Sequence, residues 1–233
     1  MENQNQPKTK GHLHPMTQFI RNLVSIFEKN GFEVATGPEV ETEWNNFDFL
    51  NVPADHPSRD TQDTFWLTNG TLLRTHTTTL QARIMQNRKP PVRFIMPGKI
   101  YRNEATDQTH EAIFYQLDGF AIDKYAKLTD LLGTLEDLFI QLLGEKTEVR
   151  FRPHLFPFVE PGVEMDLKWK GKWMEMAGAG MIHPKVLTNM GLNPDDWQGF
   201  AFGIGLDRFL MSYYGIDDIR LLHKNDLRFL DQF

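Results

Sequence analysis

Apolar residues recur three and four positions apart from Pro15 to Asn30, where Phe19, Ile20, Leu23, Val24, Ile26 and Phe27 fall at helical spacing and Gly31 ends the pattern. The segment FEVATGPEVE then predicts a strand broken at Gly37-Pro38, and a proline there belongs at a sheet edge or bulge, which suits a subunit contact. Residues 45–63 are rich in Asn, Asp and Pro and read as a loop. A second helix is expected over Thr78–Arg88, stopped by Pro90-Pro91. Val92–Arg102 and Ala112–Ile122 predict strands joined by the polar loop 104–111, and Leu128–Leu143 is a strongly periodic helix. VEMDLKW and KWMEMAG alternate about Lys170-Gly171, a hairpin signal. A last strand ends near Gly203, and a helix follows to about Tyr214. Strands clustered in hairpins with helices between and after them predict an α+β fold, an antiparallel β-sheet flanked by helices, rather than a parallel doubly wound one.

Composition adds bounds. A chain of 233 residues with 40% hydrophobic residues, 18 Phe and 5 Trp can bury one substantial core, taken as a single domain over 12–233. The polar stretch 1–11 is expected to be disordered. A formal net charge of −6, with no basic run, leaves the chain poorly equipped to hold nucleic-acid phosphates by itself. The absence of cysteine excludes disulfides, cysteine–zinc sites and thiol nucleophiles, and fits a cytoplasmic protein. The N-terminus has no apolar signal region and no segment reaches membrane-spanning length, so no membrane partner is expected.

Candidate chemistry centres on two arginines. GFAFGIGLDR begins like a dinucleotide fingerprint, but Arg208 replaces its third glycine and no acidic residue follows at the distance a βαβ unit requires. Gly203 and Gly205 instead permit a tight turn, with Arg208 in the first helical turn beside free N–H groups that favour anions. The plain alternative is an ordinary turn with a solvated arginine. Arg102, followed by Asn103 and Glu104, read alone is a solvated charge pair at a hairpin rim. The downstream strand changes that reading, because Phe114, Gln116 and Asp118 share one face and both faces carry apolar residues. An amide and a carboxylate on a covered face need a ligand or partner, and Phe114 offers a surface for a purine. Planar guanidinium groups suit bidentate phosphate recognition, so the pair points to a polyphosphate gripped at two places.

R-x-E followed by THEAIFYQLDGF, together with GFAFGIGLDR, resembles motifs 2 and 3 of class II aminoacyl-tRNA synthetases, and FEVATGPEVE resembles motif 1. Within that class, HPMTQFI, DTFWL, LLRTHTTTLQ, RPHLFPFVEPG, GKWMEMAGAGMIHPKVL and NDLRFLDQF are similar to segments of bacterial phenylalanyl-tRNA synthetase α subunits, in order over about residues 11–233. The resemblance implies the class II sheet and the ATP-dependent activation of L-phenylalanine for transfer to tRNA(Phe). It implies Arg102 on the ATP α-phosphate and the amino-acid carboxylate, Arg208 on the γ-phosphate assisted by His110, Phe114 under adenine with Arg208 opposite, and Glu104 at the adenine amino group. Gly203 and Gly205 belong to the same ATP site. Mg²⁺ would bridge the phosphates, with Glu175 its candidate protein ligand.

The same resemblance implies that Phe156 and Phe158, alternating about Pro157, face the substrate ring, with Val159 and Ala201 completing the pocket. Core packing is the plainer role for both rings. Gln116, Asp118 and Thr78 are expected at the α-ammonium, and His76 and Trp66 near the carboxylate, with Gln81 beside them. A pocket of Phe, Val and Ala rejects an added hydroxyl weakly, so tyrosine misactivation is expected and editing would fall to a partner chain. Asp118 departs from the glutamate usual in the family. The tRNA-binding helical hairpin of typical α subunits has no counterpart in the first ten or so residues, and no C-terminal anticodon-binding extension of the mitochondrial kind follows DLRFLDQF. A β subunit is therefore expected to supply tRNA binding, and motif 1 to mediate self-association. Two alternatives stay open: a synthetase-like paralogue that adenylates an amino acid for another acceptor, and a non-catalytic interaction subunit, against which the retained Arg102, Glu104, Phe114 and Arg208 argue.

Overall fold

His14 caps the first helix. Its Nδ1 accepts a hydrogen bond from the Met16 N–H at 3.1 Å, and Pro15 occupies the first turn, where a missing N–H costs nothing. In the computed structural model, which describes residues 11–233, this helix is α1 (Pro15–Lys29), burying Met16, Phe19, Leu23, Ile26 and Phe27 along one face. The expected disorder of 1–11 falls, Gly11 apart, outside the described residues. The chain then runs through β1 (Glu33–Val34), β2 (Val40–Glu41), β3 (Leu72–Leu73), α2 (Leu80–Met85), β4 (Val92–Tyr101), β5 (Ile113–Asp123) and α3 (Leu128–Leu143). It continues as β6 (Val149–Pro153), β7 (Val159–Trp169), β8 (Lys172–Ile182), α4 (Pro184–Asn189), β9 (Gln198–Gly205), α5 (Leu206–Tyr214) and α6 (Leu227–Leu230).

Seven strands form one sheet in the order β1-β4-β5-β9-β8-β7-β6, antiparallel except for the β1–β4 edge pair, and β2 pairs with β3 apart from it. The predicted hairpin joins β7 and β8 through Lys170 and Gly171, both at positive φ as a tight two-residue connection requires. One sheet face packs under α1, α3 and α5, where Phe27 stacks on Phe202 at 5.4 Å beside Leu117, Leu135 and Phe209. The other face carries Phe94, Phe120 and Met96 against Phe47, Leu50 and Leu72. No helix among the described residues is long and apolar enough to cross a membrane.

Two stretches differ from expectation. Residues 45–63 contain a π-helical turn (Trp44–Asp48) and a 3-10 turn (Pro57–Arg59). Their asparagines are held by one local and one remote hydrogen bond: Asn45 Nδ2 donates to Glu41 Oε2, four residues back, at 2.9 Å, and Asn46 Nδ2 to Thr75 Oγ1 at 3.0 Å. The second helix is shorter than its pattern, because Thr77–Thr79 form a 3-10 turn before α2 begins at Leu80. The interrupted strand at Gly37-Pro38 splits between two sheets, with β1 at an edge.

Gly119 tests the packing under the helices. A Cβ there would lie 2.3 Å from Phe202 Cζ, on a ring already held by Phe27. Gly119→Ala should therefore destabilise the fold by about 1–3 kcal/mol, read as a drop in thermal midpoint of roughly 2–4 °C per kcal/mol. An unchanged midpoint would show that the ring has room to move.

Candidate active site

Glycines strip the centre of the upper sheet face. A cross-strand row runs Met96, Asp118, Gly203, Gly178, Glu164 and Arg152 from β4 to β6, so two neighbouring positions offer only backbone. Each gap is filled by a functional side chain. A Cβ on Gly203 would fall 2.6 Å from Asp118 Oδ1 and 2.8 Å from Gln116 Nε2, and one on Gly178 would fall 2.9 Å from Phe156 Cζ. Above this floor lie two cavities of about 320 and 610 Å³, sharing Arg102, Glu104, Gln116, Glu175, Gly178 and Gly203 in their walls. They are two limbs of one cleft.

The larger limb ends in aromatic rings. Phe156 and Phe158 stack at 5.7 Å with planes 18° apart, and Ala201 leaves space beside them. Near its centre the Asp118 carboxylate, 1% exposed, accepts from Thr78 Oγ1 at 2.5 Å and Gln116 Nε2 at 2.6 Å. Burial pushes the Asp118 pKa up, while those hydrogen bonds pull it down. His76 closes the wall toward Phe158, with centroids 6.5 Å apart, and its Nδ1 is buried without a protein partner. Desolvation, reinforced by the nearby Arg102 charge, drives its pKa down to about 3, so the ring is neutral and offers one donor and one acceptor.

The smaller limb is cationic. Arg102 follows β4 directly, its Nε donating to the Thr75 carbonyl at 3.3 Å, and its guanidinium lies 5.2 Å from the centre of the Phe114 ring. Burial lowers the Arg102 pKa against the opposing pull of Glu104, Asp118 and Asp63, yet a guanidinium has ample margin to stay charged. Arg208 is exposed in the first turn of α5, on the opposite side of β5 from β4. Among the described residues no carboxylate pairs with either guanidinium, and both line the same limb. Glu175 is exposed on this wall, but no group of three His, Cys, Asp or Glu side chains converges as a metal cage among the described residues.

The fold thus gathers Arg102, Glu104, His110, Phe114, Gln116, Glu175, Gly203, Gly205 and Arg208 around one limb, and His76, Thr78, Asp118, Phe156, Phe158 and Ala201 around the other. Trp66, Gln81 and Val159 line neither. The Trp66 indole N–H is committed to the Arg59 carbonyl at 3.1 Å, Gln81 is buried in α2, and Val159 is 5% exposed, its side chain lying over the Gly180 position. The His110 ring lies at the cavity but packs 3.1 Å from both Asp107 oxygens, while Asp107 Oδ1 also takes the Thr109 and His110 N–H groups, which hold its carboxyl well below the usual range. Arg102 covers one face of Phe114, so a base stacked there is left the other. Sequence reasoning missed His56, Ser58 and Asp63, from the stretch read as a loop, and Asp207, whose only signal was its place beside Arg208.

Comparison with known proteins agrees with this geometry. The family described as tRNA synthetases class II core domain (F) matches residues 1–233. Relatives named phenylalanine–tRNA ligase alpha subunit are 48% identical in Caldicellulosiruptor bescii, over 96% of this chain and 69% of that protein, and 50% identical in Klebsiella pneumoniae, over 96% and 68%. The solved pyrrolysyl-tRNA synthetase from Desulfitobacterium hafniense shares the fold, with a TM-score of 0.75 at 19% identity over 96% of this chain and 78% of its own. Identity of that order along almost the whole length carries family membership with it: the chain belongs to the class II aminoacyl-tRNA synthetases, among the phenylalanine–tRNA ligase alpha subunits.

Proposed function

We propose that the chain is the catalytic α subunit of an enzyme that activates L-phenylalanine with ATP and passes it to tRNA(Phe). The observation that carries the reading is the pair of guanidinium groups without carboxylate partners in one limb, joined over a bare sheet floor to an aromatic-ended limb with a buried carboxylate. The substrate's phenyl ring would lie along Phe156 and Phe158, its ammonium against Asp118 and Gln116, and its carboxylate at Arg102, where the two limbs meet. Arg102 then draws a carboxylate oxygen and the ATP α-phosphate together. The new bond joins that oxygen to the α-phosphorus, and the bond to the β-phosphate oxygen breaks to release pyrophosphate. In the second step a terminal ribose hydroxyl of tRNA attacks the acyl carbon and AMP leaves.

No side chain need take a proton in the first step, because the carboxylate is already a nucleophile. Positioning and charge neutralisation supply the rate. Arg208 takes the far end of the triphosphate, where the chain bends toward α5. Glu175 would be the protein group that holds a Mg²⁺ ion, which would supply neutralisation of negative charge. A single carboxylate, Glu175, fits an ion held mainly by phosphate oxygens and water. A β subunit would complete the enzyme and carry tRNA binding and editing, and the exposed Val34, Val40 and Trp44 around motif 1 favour that segment as an association surface. This reading puts the chain in the cytoplasm, where tRNA is charged.

ATP–pyrophosphate exchange by the chain, with and without its β partner, tests the assignment across the amino acids. Phenylalanine should drive exchange, with tyrosine the strongest competitor, and charging of tRNA(Phe) separates this reading from an adenylating paralogue with another acceptor. Exchange driven by a different amino acid would refute it. Arg208→Ala should cut phenylalanine-dependent exchange by on the order of a hundredfold or more, with the thermal midpoint unchanged because the side chain is exposed and unpaired. Gly203→Ala should instead raise the KM for phenylalanine at least tenfold, and by a larger factor than the KM for ATP, since the displaced Asp118 lines only the amino-acid limb while Gln116 borders both. Equal loss of both substrates in that variant would mean the floor serves the whole cleft rather than its amino-acid limb.

A further inference from the structure

Where β9 ends, β5 loses its partner on that side and keeps β4 on the other. The β5–β9 pairing stops at Gln116↔Gly205, and the Tyr115 N–H, between the cavity-lining Phe114 and Gln116, would face no strand. A carboxylate takes that place: Asp207 Oδ2, from the first turn of α5, accepts this N–H at 2.6 Å. Asp207 is 1% exposed, and the other oxygen of its carboxylate meets His223 Nε2 at 2.8 Å. His223 closes the 3-10 turn Ile219–Leu222, whose Ile219 N–H donates to the Gln108 carbonyl at 3.0 Å in the loop between Arg102 and Phe114. Ile219 itself lines the cationic limb. One short C-terminal segment thus touches both flanks of the phosphate-facing limb, the arginine-bearing turn of α5 through Asp207 and the 104–112 loop through Gln108.

We infer that His223 is a positioning residue for the nucleotide limb, donating its Nε2–H to Asp207 so that the first turn of α5 is locked to β5 and Arg208 is held at the depth the triphosphate requires. This rests on the ATP-activating reading above. The carboxylate is an acceptor on both oxygens, so Nε2 must carry the hydrogen, and the role needs a donor at that point rather than an imidazole as such. Without it, Asp207 keeps the Tyr115 N–H but has a buried oxygen with no donor. The turn can then relieve that cost by rotating, and Arg208, its neighbour, rotates with it. The amino-acid limb, built on Asp118, Thr78 and the two phenylalanines, has neither Asp207 nor His223 in its wall.

The test measures binding of a non-hydrolysable ATP analogue and, separately, of phenylalanine, by titration calorimetry on the α chain assembled with its β partner. His223→Leu should weaken the analogue by on the order of tenfold and leave phenylalanine affinity unchanged, while the thermal midpoint falls because the buried Asp207 oxygen loses its donor. His223→Gln, whose Nε2 can donate from a similar distance, should recover most of the loss. If His223→Leu does not fold, His223→Phe, a ring without a donor, replaces it with the same expectation. Wild-type analogue affinity in the donor-less variant, a His223→Gln variant no better than it, or parallel loss of phenylalanine binding would each overturn the inference. Failure of phenylalanine-dependent exchange in the wild-type assembly would instead strike the functional reading, since nucleotide binding is measured without it.

Discussion

Backbone left bare at two adjacent strand positions is the constraint on which the site depends. Gly178 and Gly203 sit side by side on β8 and β9, and any side chain at either would occupy space already held by Phe156 or by the Gln116–Asp118 pair. Strand interiors ordinarily disfavour glycine, because it contributes no packing and loses more entropy on folding. Here the loss is offset on the other face of the sheet, where Phe27, Phe202, Leu117 and Phe209 form a dense core under α1, α3 and α5. One face supplies the stability; the other gives up packing to make a cleft.

Charge is divided along that cleft in the same spirit. Asp118 is buried but satisfied by two neutral donors, and among the described residues no lysine or arginine forms an ion pair with it. Arg102 and Arg208 are the reverse, cations left without a carboxylate although the chain as a whole carries an excess of negative charge. Other arginines of the chain are spent internally: Arg152 grips Asp166 and Glu164, Arg83 grips Glu41, and Arg59 bridges Glu43 and Asp48. Guanidinium groups held on rigid elements with no carboxylate partner leave positive charge free to favour an anion.

The first helix and the last turns meet near this cationic limb. The His14 ring, which caps α1, lies close to the Leu222 backbone, next to His223 and its contact with Asp207. Burial lowers the His14 pKa, and the neighbouring His223 lowers it further, while the Leu222 backbone and Asp207 oppose. The first helix, the last turns and the arginine-bearing turn therefore share a single junction, which ties the cationic limb to the main core.

Local patterns were enough to read most of the elements, because helix and strand periodicity are properties of neighbouring residues: Leu128–Leu143, the β7–β8 hairpin and the two long strands around the 104–111 loop stand where their spacing put them. The motif residues around Arg102, Phe114, Gln116, Asp118 and Arg208 were legible for a similar reason, since each motif is a short run on one strand or turn. What the sequence could not determine is anything that depends on partners far along the chain. Asn46 and the turn at 44–48 looked like loop until Thr75, from a distant segment, supplied a hydrogen bond. Trp66, Gln81 and Val159 lie within family-like segments yet line neither cavity, because the way a side chain points is settled by packing. The glycine floor, the pairing of His223 with Asp207 and the joining of two cavities at Arg102 are decided by strand register and by crossing elements. Those bring residues together across the fold only after the sheet has closed.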